Sequence, residues 1–171
     1  RGLGDVYKRQ LFKGTIRENM WMGKKGATDE QIDEALEISQ SKEFVDSKQG
    51  RLDYVIEQGG KNLSGGQRQR LTIARAIVRK PDVLILDDSA SALDFATDAA
   101  LRKAIRGMNN SPTVFIVSQR AASLMYADLI IVLDDGQVAG MGTHDELLAN
   151  CEVYKEIYLS LIHISEPTRP Y

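Results

Sequence analysis

The sequence predicts an α/β fold with a mainly parallel sheet. Three short apolar runs, at residues 83–86, 114–117 and 129–133, lack polar alternation and are typical of strands covered on both faces. Helical segments with capping residues lie between and around these runs. Because alternating strands and helices favour parallel pairing with helices packed on the sheet, the order predicts an α/β domain.

Capping residues mark where the predicted helices begin. Thr28 is followed three residues later by Gln31, which is the spacing of a capping box. A second helix is predicted over residues 64–80, where a proline follows and ends it. Asp94 can cap a third helix that extends to about Arg106.

The C-terminal part predicts a hairpin followed by a helix. Asp135-Gly136 is a turn pair typical of tight hairpins, and it leads into a short strand at residues 137–139. Thr143 and Glu146 form another capping box that opens a short helix.

The two ends of the chain are related to each other through their coding sequence. The codons CGT GGG CTC GGA GAT GTG TAT AAG AGA CAG encode residues 1–10, and their reverse complement encodes residues 159–168. One oligonucleotide read on opposite strands thus accounts for both ends, as a sequencing adaptor would. We therefore expect residues 1–10 and 159–171 to be non-native and residues 11–158 to be the native part.

Composition excludes several classes of protein. The net charge of −2 gives no argument for a nucleic-acid partner. Cys151 is the only cysteine, so the sequence contains no disulfide framework. The longest aliphatic run, residues 129–133, is far shorter than the roughly 20 residues of a membrane-spanning helix.

The stretch LSGGQRQR, residues 63–70, has the chemistry of a phosphate-binding helix start. A helix N-terminus offers free N–H groups and the positive end of the helix dipole. Gly65 and Gly66 allow a ligand to approach the backbone closely, and the Ser64 hydroxyl adds a donor.

Polar residues follow two of the predicted strands. Asp87 and Asp88 end the first, and Ser118 and Gln119 end the second. Ligands of α/β sheets bind beyond the carboxyl ends of the strands, so we expect a ligand site there.

These stretches, in this order, resemble the nucleotide-binding domain of ATP-binding-cassette (ABC) transporters. The resembling segments are LSGGQ (63–67, the signature), VLILDD (83–88, the Walker B strand), SALD (91–94, the D-loop), IVSQ (116–119, the switch-histidine strand), VIEQGG (55–60) and LFKGTIREN (11–19). The resemblance implies a partial P-loop NTPase domain with a helical signature subdomain at about residues 20–80. Residues 55–60, which include Glu57, and residues 11–19 are similar to the segments that meet the membrane domains in exporters of the family.

The resemblance also implies roles for single residues. Ser64, Gly65, Gly66, Gln67 and the D-loop Asp94 would bind ATP, and Asp87 would help to hold Mg²⁺.

Two residues depart from the family pattern at the water-handling positions. Asp88 stands where the family has the glutamate that activates water, and Gln119 where it has the switch histidine. Glutamine can donate a hydrogen bond to a phosphate oxygen, but it cannot take up a proton or carry a charge as histidine can. In having both changes, the sequence resembles the degenerate subunit of a heterodimeric exporter.

The phosphate-cradling Walker A motif is absent from the sequence. It requires G-x-x-x-x-G-K-[ST], and neither Gly23-Lys24 nor Gly60-Lys61 is followed by Ser or Thr. We expect that half of the domain to lie upstream and the 171-residue chain alone to be inactive.

The resemblance implies an ATPase domain on the cytoplasmic face of the cell membrane, paired with a second nucleotide-binding domain and driving export. Two alternatives remain open: a homodimeric exporter that uses Asp88 as a base, and a soluble ABC ATPase of DNA repair or translation.

Overall fold

A computed structural model describes residues 10–87, 92–119 and 123–165. The chain divides into two compact units, one through Phe115 and one from Ile116 onwards. The described helices are α1 (Ile16–Trp21), α2 (Asp29–Ile38), α3 (Lys42–Asp46), α4 (Gly65–Ile77), α5 (Phe95–Arg106), α6 (His144–Asn150) and α7 (Glu152–Ser165). The described strands are β1 (Gly14–Thr15), β2 (Val55–Ile56), β3 (Val83–Asp87), β4 (Thr113–Val117), β5 (Ile130–Asp134) and β6 (Gln137–Gly142).

The predicted helix starts are confirmed. The Thr28 side chain accepts from the Gln31 N–H and Gln31 reaches back, which closes the capping box of α2. Asp94 caps α5, which ends at Arg106 as predicted. The helix predicted over 64–80 is shorter, because α4 ends at Ile77 ahead of Lys80, whose φ of 49° is left-handed.

The core of the first unit lies between its helices. Side chains from α1, α2 and α4 are buried together with those of the segments that join them; they include Ile16, Met20, Ile32, Leu36, Leu52, Ile56 and Leu71. Burial of one apolar stripe of α4 therefore fixes how this helix is oriented within the first unit.

The strands are covered on one face rather than both. In β3 Leu84 and Leu86 are buried, whereas Val83 and Ile85 are 52% and 66% exposed. The prediction that these strands are covered on both faces is wrong for the described residues. Side chains of a strand alternate between two faces whatever their polarity, so an apolar run does not reveal how many faces are packed.

The fold class is confirmed as α/β, but the ladders with a defined register are antiparallel. β1 pairs with β2 (Gly14 opposite Ile56), and β5 pairs with β6. β3 and β4 form a third two-stranded sheet. The β5–β6 pair must be antiparallel, because a two-residue hairpin can join only antiparallel strands.

The second unit is built on the predicted hairpin. Asp135 and Gly136 have φ values of 45° and 76°, as a type I′ turn requires. Its core contains Ile130, Val132, Leu147, Cys151 and Tyr154. The second predicted capping box, Thr143 with Glu146, opens α6.

The last helix, α7, continues past residue 158, where the native part was expected to end. The boundaries at residues 11 and 158 remain a prediction.

Within the described part of the chain, no helix is both long enough and apolar enough to cross a membrane.

Candidate functional site

The signature segment forms the exposed start of α4. Ser64 is the N-cap: its Oγ accepts from the Gln67 N–H at 3.2 Å, and its own N–H donates to Gln67 Oε1 at 3.1 Å. Gln67, predicted to bind the nucleotide, therefore uses its side chain to close the cap. Because the Ser64 hydroxyl accepts in this contact, its hydrogen can still be donated outward.

The two glycines allow a loop to pack against the helix start. A Cβ on Gly66 would lie 3.2 Å from the Ala92 carbonyl oxygen, and one on Gly65 would lie 3.7 Å from the Ala92 Cβ. The first contact is tighter than most, so a side chain at Gly66 would displace the loop. The free N–H groups at this end of a 13-residue helix, together with the helix dipole, favour an anion.

A hydrogen bond joins the signature helix to the D-loop. The Ala92 N–H donates to Gln69 Oε1 at 3.1 Å, across 23 residues of sequence. The structure thus brings together two segments that the sequence predicted separately. Sequence reasoning missed Gln69, since nothing in its spacing shows which loop it meets.

Asp94 is engaged as a helix cap. Its Oδ1 accepts from the Thr97 N–H at 2.9 Å and its Oδ2 from the Thr97 hydroxyl at 2.8 Å. These bonds, the backbone one first, hold the pKa of Asp94 below its ordinary value of 3.8. The carboxylate predicted to bind the cofactor is therefore oriented by α5.

The remaining predicted site residues are Asp87, Asp88 and Gln119. Asp87 is the last residue of β3 and is exposed. Asp88 lies outside the described residues. Gln119 follows β4 in the second unit and is also exposed.

The two segments that resemble membrane-domain contacts lie side by side. Residues 11–19 contribute β1 and residues 55–60 contribute β2, which pair directly. The Glu57 N–H donates to Asn62 Oδ1 at 3.0 Å, and Asn62 Nδ2 donates to the Val55 carbonyl at 2.9 Å. Glu57 itself is exposed, so its carboxylate is presented from a braced loop.

Ion pairs hold the first of these segments in place. Arg17 contacts both Asp29 and Asp53, which belong to different parts of the first unit. Hydrogen bonding to Asp29 and then to Asp53 raises the pKa of Arg17. The same guanidinium lowers the pKa of the Asp29 carboxyl.

The carboxylate of Asp87 has the oxygen ligands that a hard cation prefers. Asp87 offers exposed oxygen donors at a strand end, which suits Mg²⁺ held partly through water. Among the residues that the structure describes, no three His, Cys, Asp or Glu side chains converge on a common metal position.

Comparison with known proteins gives a consistent result. The model of the ABC transporter family matches residues 3–91. The chain is 45% identical over 150 residues to the uncharacterized ABC transporter ATP-binding protein YfiB of Bacillus subtilis (strain 168), covering 88% of this chain and 26% of that protein. It is 43% identical over 148 residues to the probable multidrug resistance ABC transporter ATP-binding/permease protein YheI of the same organism, covering 86% and 25%.

A solved structure of a bacterial Atm1-family ABC exporter with ATP bound is similar with a TM-score of 0.85 and 30% identity. The match covers 92% of this chain and 27% of that one. The chain thus spans about a quarter of the length of each protein that it matches.

Proposed function

The chain belongs to the ABC transporter family, and on this premise we propose that it is part of the ATP-binding domain of an exporter. In the full protein this domain couples ATP binding and hydrolysis to the export of a substrate. The observation that carries the proposal is the signature itself: an exposed, glycine-lined helix start capped by Ser64 and tied to the D-loop through Gln69 and Ala92.

The signature is suited to complete a nucleotide site formed with a second domain. Ser64 offers a hydroxyl, and Gly65 and Gly66 have no side chains of their own that would keep a ligand away from their backbone N–H groups. An anion such as a γ-phosphate is the ligand that these donors favour. This chain contains no Walker A motif, so the phosphate cradle must come from other residues.

Asp87, Asp88 and Gln119 would serve the nucleotide that this chain's own domain binds. Asp87 would help to hold a Mg²⁺ ion, which would supply positive charge to neutralise the charge that develops on the phosphoryl group. Asp88 keeps the charge of the usual glutamate but is one methylene shorter. A misplacement of about 1 Å can slow a reaction on the order of 100-fold.

We favour a degenerate site in a heterodimer, because both water-handling positions are altered while the signature is intact. The partner would carry glutamate and histidine there. The homodimeric exporter remains the alternative, and a partner gene beside this one would distinguish the two.

The membrane domains would dock on the paired segments 11–19 and 55–60. Their direct pairing through β1 and β2, the exposed Glu57 and the ion pairs of Arg17 support one continuous contact surface. The relative YheI is described as an ATP-binding/permease protein, which favours an exporter over a soluble ATPase of DNA repair or translation. The domain itself would then lie on the cytoplasmic face of the membrane.

The test is the Mg-ATPase activity of the full-length protein in lipid vesicles. Ser64→Arg puts a bulky cation at the phosphate-facing cap and should remove most of the activity. Ala99→Arg adds the same side chain on an exposed position of α5 and should leave it unchanged. Full activity in Ser64→Arg would exclude a role of this signature in ATP turnover.

A further inference from the structure

The outer face of the β5–β6 hairpin is apolar and exposed. Ile131 lies directly opposite Met141, and Leu133 lies directly opposite Val138. All four residues are more than half exposed, and Leu133 is the most exposed at 66%. Because directly opposite residues of a ladder point to the same side of the sheet, the four form one continuous surface, which we call the hairpin patch.

The other face of the hairpin is covered by helices. Ile130 and Val132 of β5 are buried in the core of the second unit together with Leu147 of α6. A Cβ on Gly140 would lie 2.8 Å from the Cys151 Sγ, so the segment between α6 and α7 approaches β6 closely. The hairpin therefore has one packed face and one face that is open to solvent.

The two cross-strand pairs of the hairpin patch contain no charged residue. Asp134 lies opposite Gln137, next to the pair formed by Leu133 and Val138. Because successive side chains of a strand alternate between faces, Asp134 and Gln137 belong to the side that the helices cover. Natural sheets usually carry charges where an exposed surface must be kept from associating, and this patch lacks that protection.

The chemistry of the hairpin patch selects its occupant. Its four side chains offer no hydrogen-bond donor, acceptor charge or cation, so a polar or charged partner would lose water there without gaining a specific contact. A second apolar strand face does fit, because the inner faces of two stacked sheets interdigitate about 10 Å apart. A copy of the same hairpin supplies such a face, and a twofold axis lets one patch serve on both sides.

The size of the hairpin patch sets the strength of such a contact. Stable interfaces bury about 800 Å² on each partner, which is more than four partly exposed side chains can contribute. A contact of this kind is weak, and we expect a dissociation constant on the order of 100 µM.

We infer that the hairpin patch of the 171-residue chain pairs with the hairpin patch of a second copy. The two hairpins would lie face to face, with the helices of each copy on the outside. The pairing uses only the second unit, whereas the signature belongs to the first, so the inference does not rest on the proposed nucleotide site.

The test is sedimentation equilibrium of the purified 171-residue chain, at concentrations from about tenfold below to about tenfold above the expected dissociation constant. Leu133→Lys and Val138→Lys each replace an apolar contact by a charge. Each should raise the dissociation constant about tenfold or more, because the apolar burial is lost and an ammonium group would have to leave water. Ala149→Lys puts the same charge on an exposed position of α6 and should leave the dissociation constant unchanged.

A thiol placed in the hairpin patch reports its cover directly. Cys151 is the only cysteine of the sequence and is buried, so Met141→Cys adds one accessible thiol. Its rate of alkylation should be high in the dilute chain and should fall as the concentration passes the dissociation constant. Protection already in the dilute monomer would place another segment of the same chain over the patch and would overturn the pairing. A rate that stays high at every concentration would overturn it as well.

Added salt and the signature variant exclude other contacts. Asp134 and Asp135 lie at the turn of each hairpin, so screening of their repulsion should leave the pairing intact or strengthen it. Weakening by salt would indicate an ion-paired contact and would overturn the inference. Association that is lost in Ser64→Arg but unchanged in Leu133→Lys would place the contact at the signature. A chain that stays monomeric at all concentrations would reject the pairing and leave the proposed function untouched.

Discussion

The Ala92 N–H donates a 3.1 Å hydrogen bond to the Gln69 side chain, which fastens the D-loop to the signature helix. Ala92 also packs over Gly65 and Gly66, so the two segments share a contact as well as a bond. A shift of α4 would therefore be transmitted to the loop that precedes α5.

Removing this bond should loosen the loop. We expect Gln69→Ala to lower the free energy of unfolding by about 1 kcal/mol, the usual contribution of one hydrogen bond, and the melting temperature by about 3 °C. Thermal unfolding of the 171-residue chain measures both. Gln69→Glu retains an acceptor and should lose less, and Gln49→Ala, at an exposed loop position, should lose nothing. Equal melting temperatures for all three variants would show that the bond does not hold the loop.

The cap of α5 should make stability depend on pH in the acid range. The pKa of Asp94 is lowered in the folded chain, chiefly by the hydrogen bond from the Thr97 N–H. The contribution of Asp94 to the free energy of unfolding is therefore complete above the pKa of the unfolded chain, near 3.8. It is lost as the pH falls through the lower pKa of the folded chain. Asp94→Asn keeps a capping side chain without the charge. The melting temperatures of the two proteins should differ at pH 6 and converge towards pH 2; a gap that widens on acidification would contradict this.

The chain as it stands should not bind nucleotide tightly. The signature would contribute donors to a phosphate, but the sequence lacks the Walker A motif that would supply the backbone nest and the lysine. We expect no saturable binding of labelled Mg-ATP at micromolar concentrations in equilibrium dialysis. Tight binding by the purified 171-residue chain would mean that another part of it holds phosphate.

The outermost residues should contribute little to stability. Residues 1–10 and 159–171 have the coding pattern of an adaptor, so we expect no packing selected together with the rest of the chain. A chain trimmed to residues 11–158 should melt within about 3 °C of the original, the shift that roughly 1 kcal/mol would produce. The Arg75 guanidinium donates to the Gln10 carbonyl, and loss of that bond is the main reason for any small decrease. A much larger decrease would show that the ends belong to the fold.

Local features were predictable from the sequence because they depend on neighbours in the chain. The caps at Thr28, Asp94 and Thr143 and the Asp135-Gly136 turn each need only residues within four positions. The covering of β3 was not predictable, since it depends on what packs against each face.

The site shows the same division between local and tertiary information. The role of Ser64, Gly65 and Gly66 as a helix start could be predicted, because they directly precede a helical pattern in the sequence. The contact of Gln69 with Ala92 arises from tertiary packing, which spacing does not reveal.

The last prediction concerns the unequal roles of the two composite sites. If two domains face each other head to tail, Ser64 serves the nucleotide of the partner, while Asp88 and Gln119 serve the nucleotide of this chain's own domain. The intact signature would then complete a competent site, and the altered pair would lie in a slow one. In the full heterodimer, Ser64→Arg should therefore remove most of the ATPase activity, whereas Asp88→Asn should remove little.

The steady-state rates of phosphate release from the two variants, each beside the unaltered complex, decide between the readings. Asp88→Asn changes one oxygen to an amide nitrogen with almost no change of shape, so a loss of rate reports chemistry rather than misfolding. A large loss with Asp88→Asn and a mild one with Ser64→Arg would reverse the assignment of the sites. Near-equal losses would favour the homodimer, because every site would then use both residues, with Asp88 as a slow base.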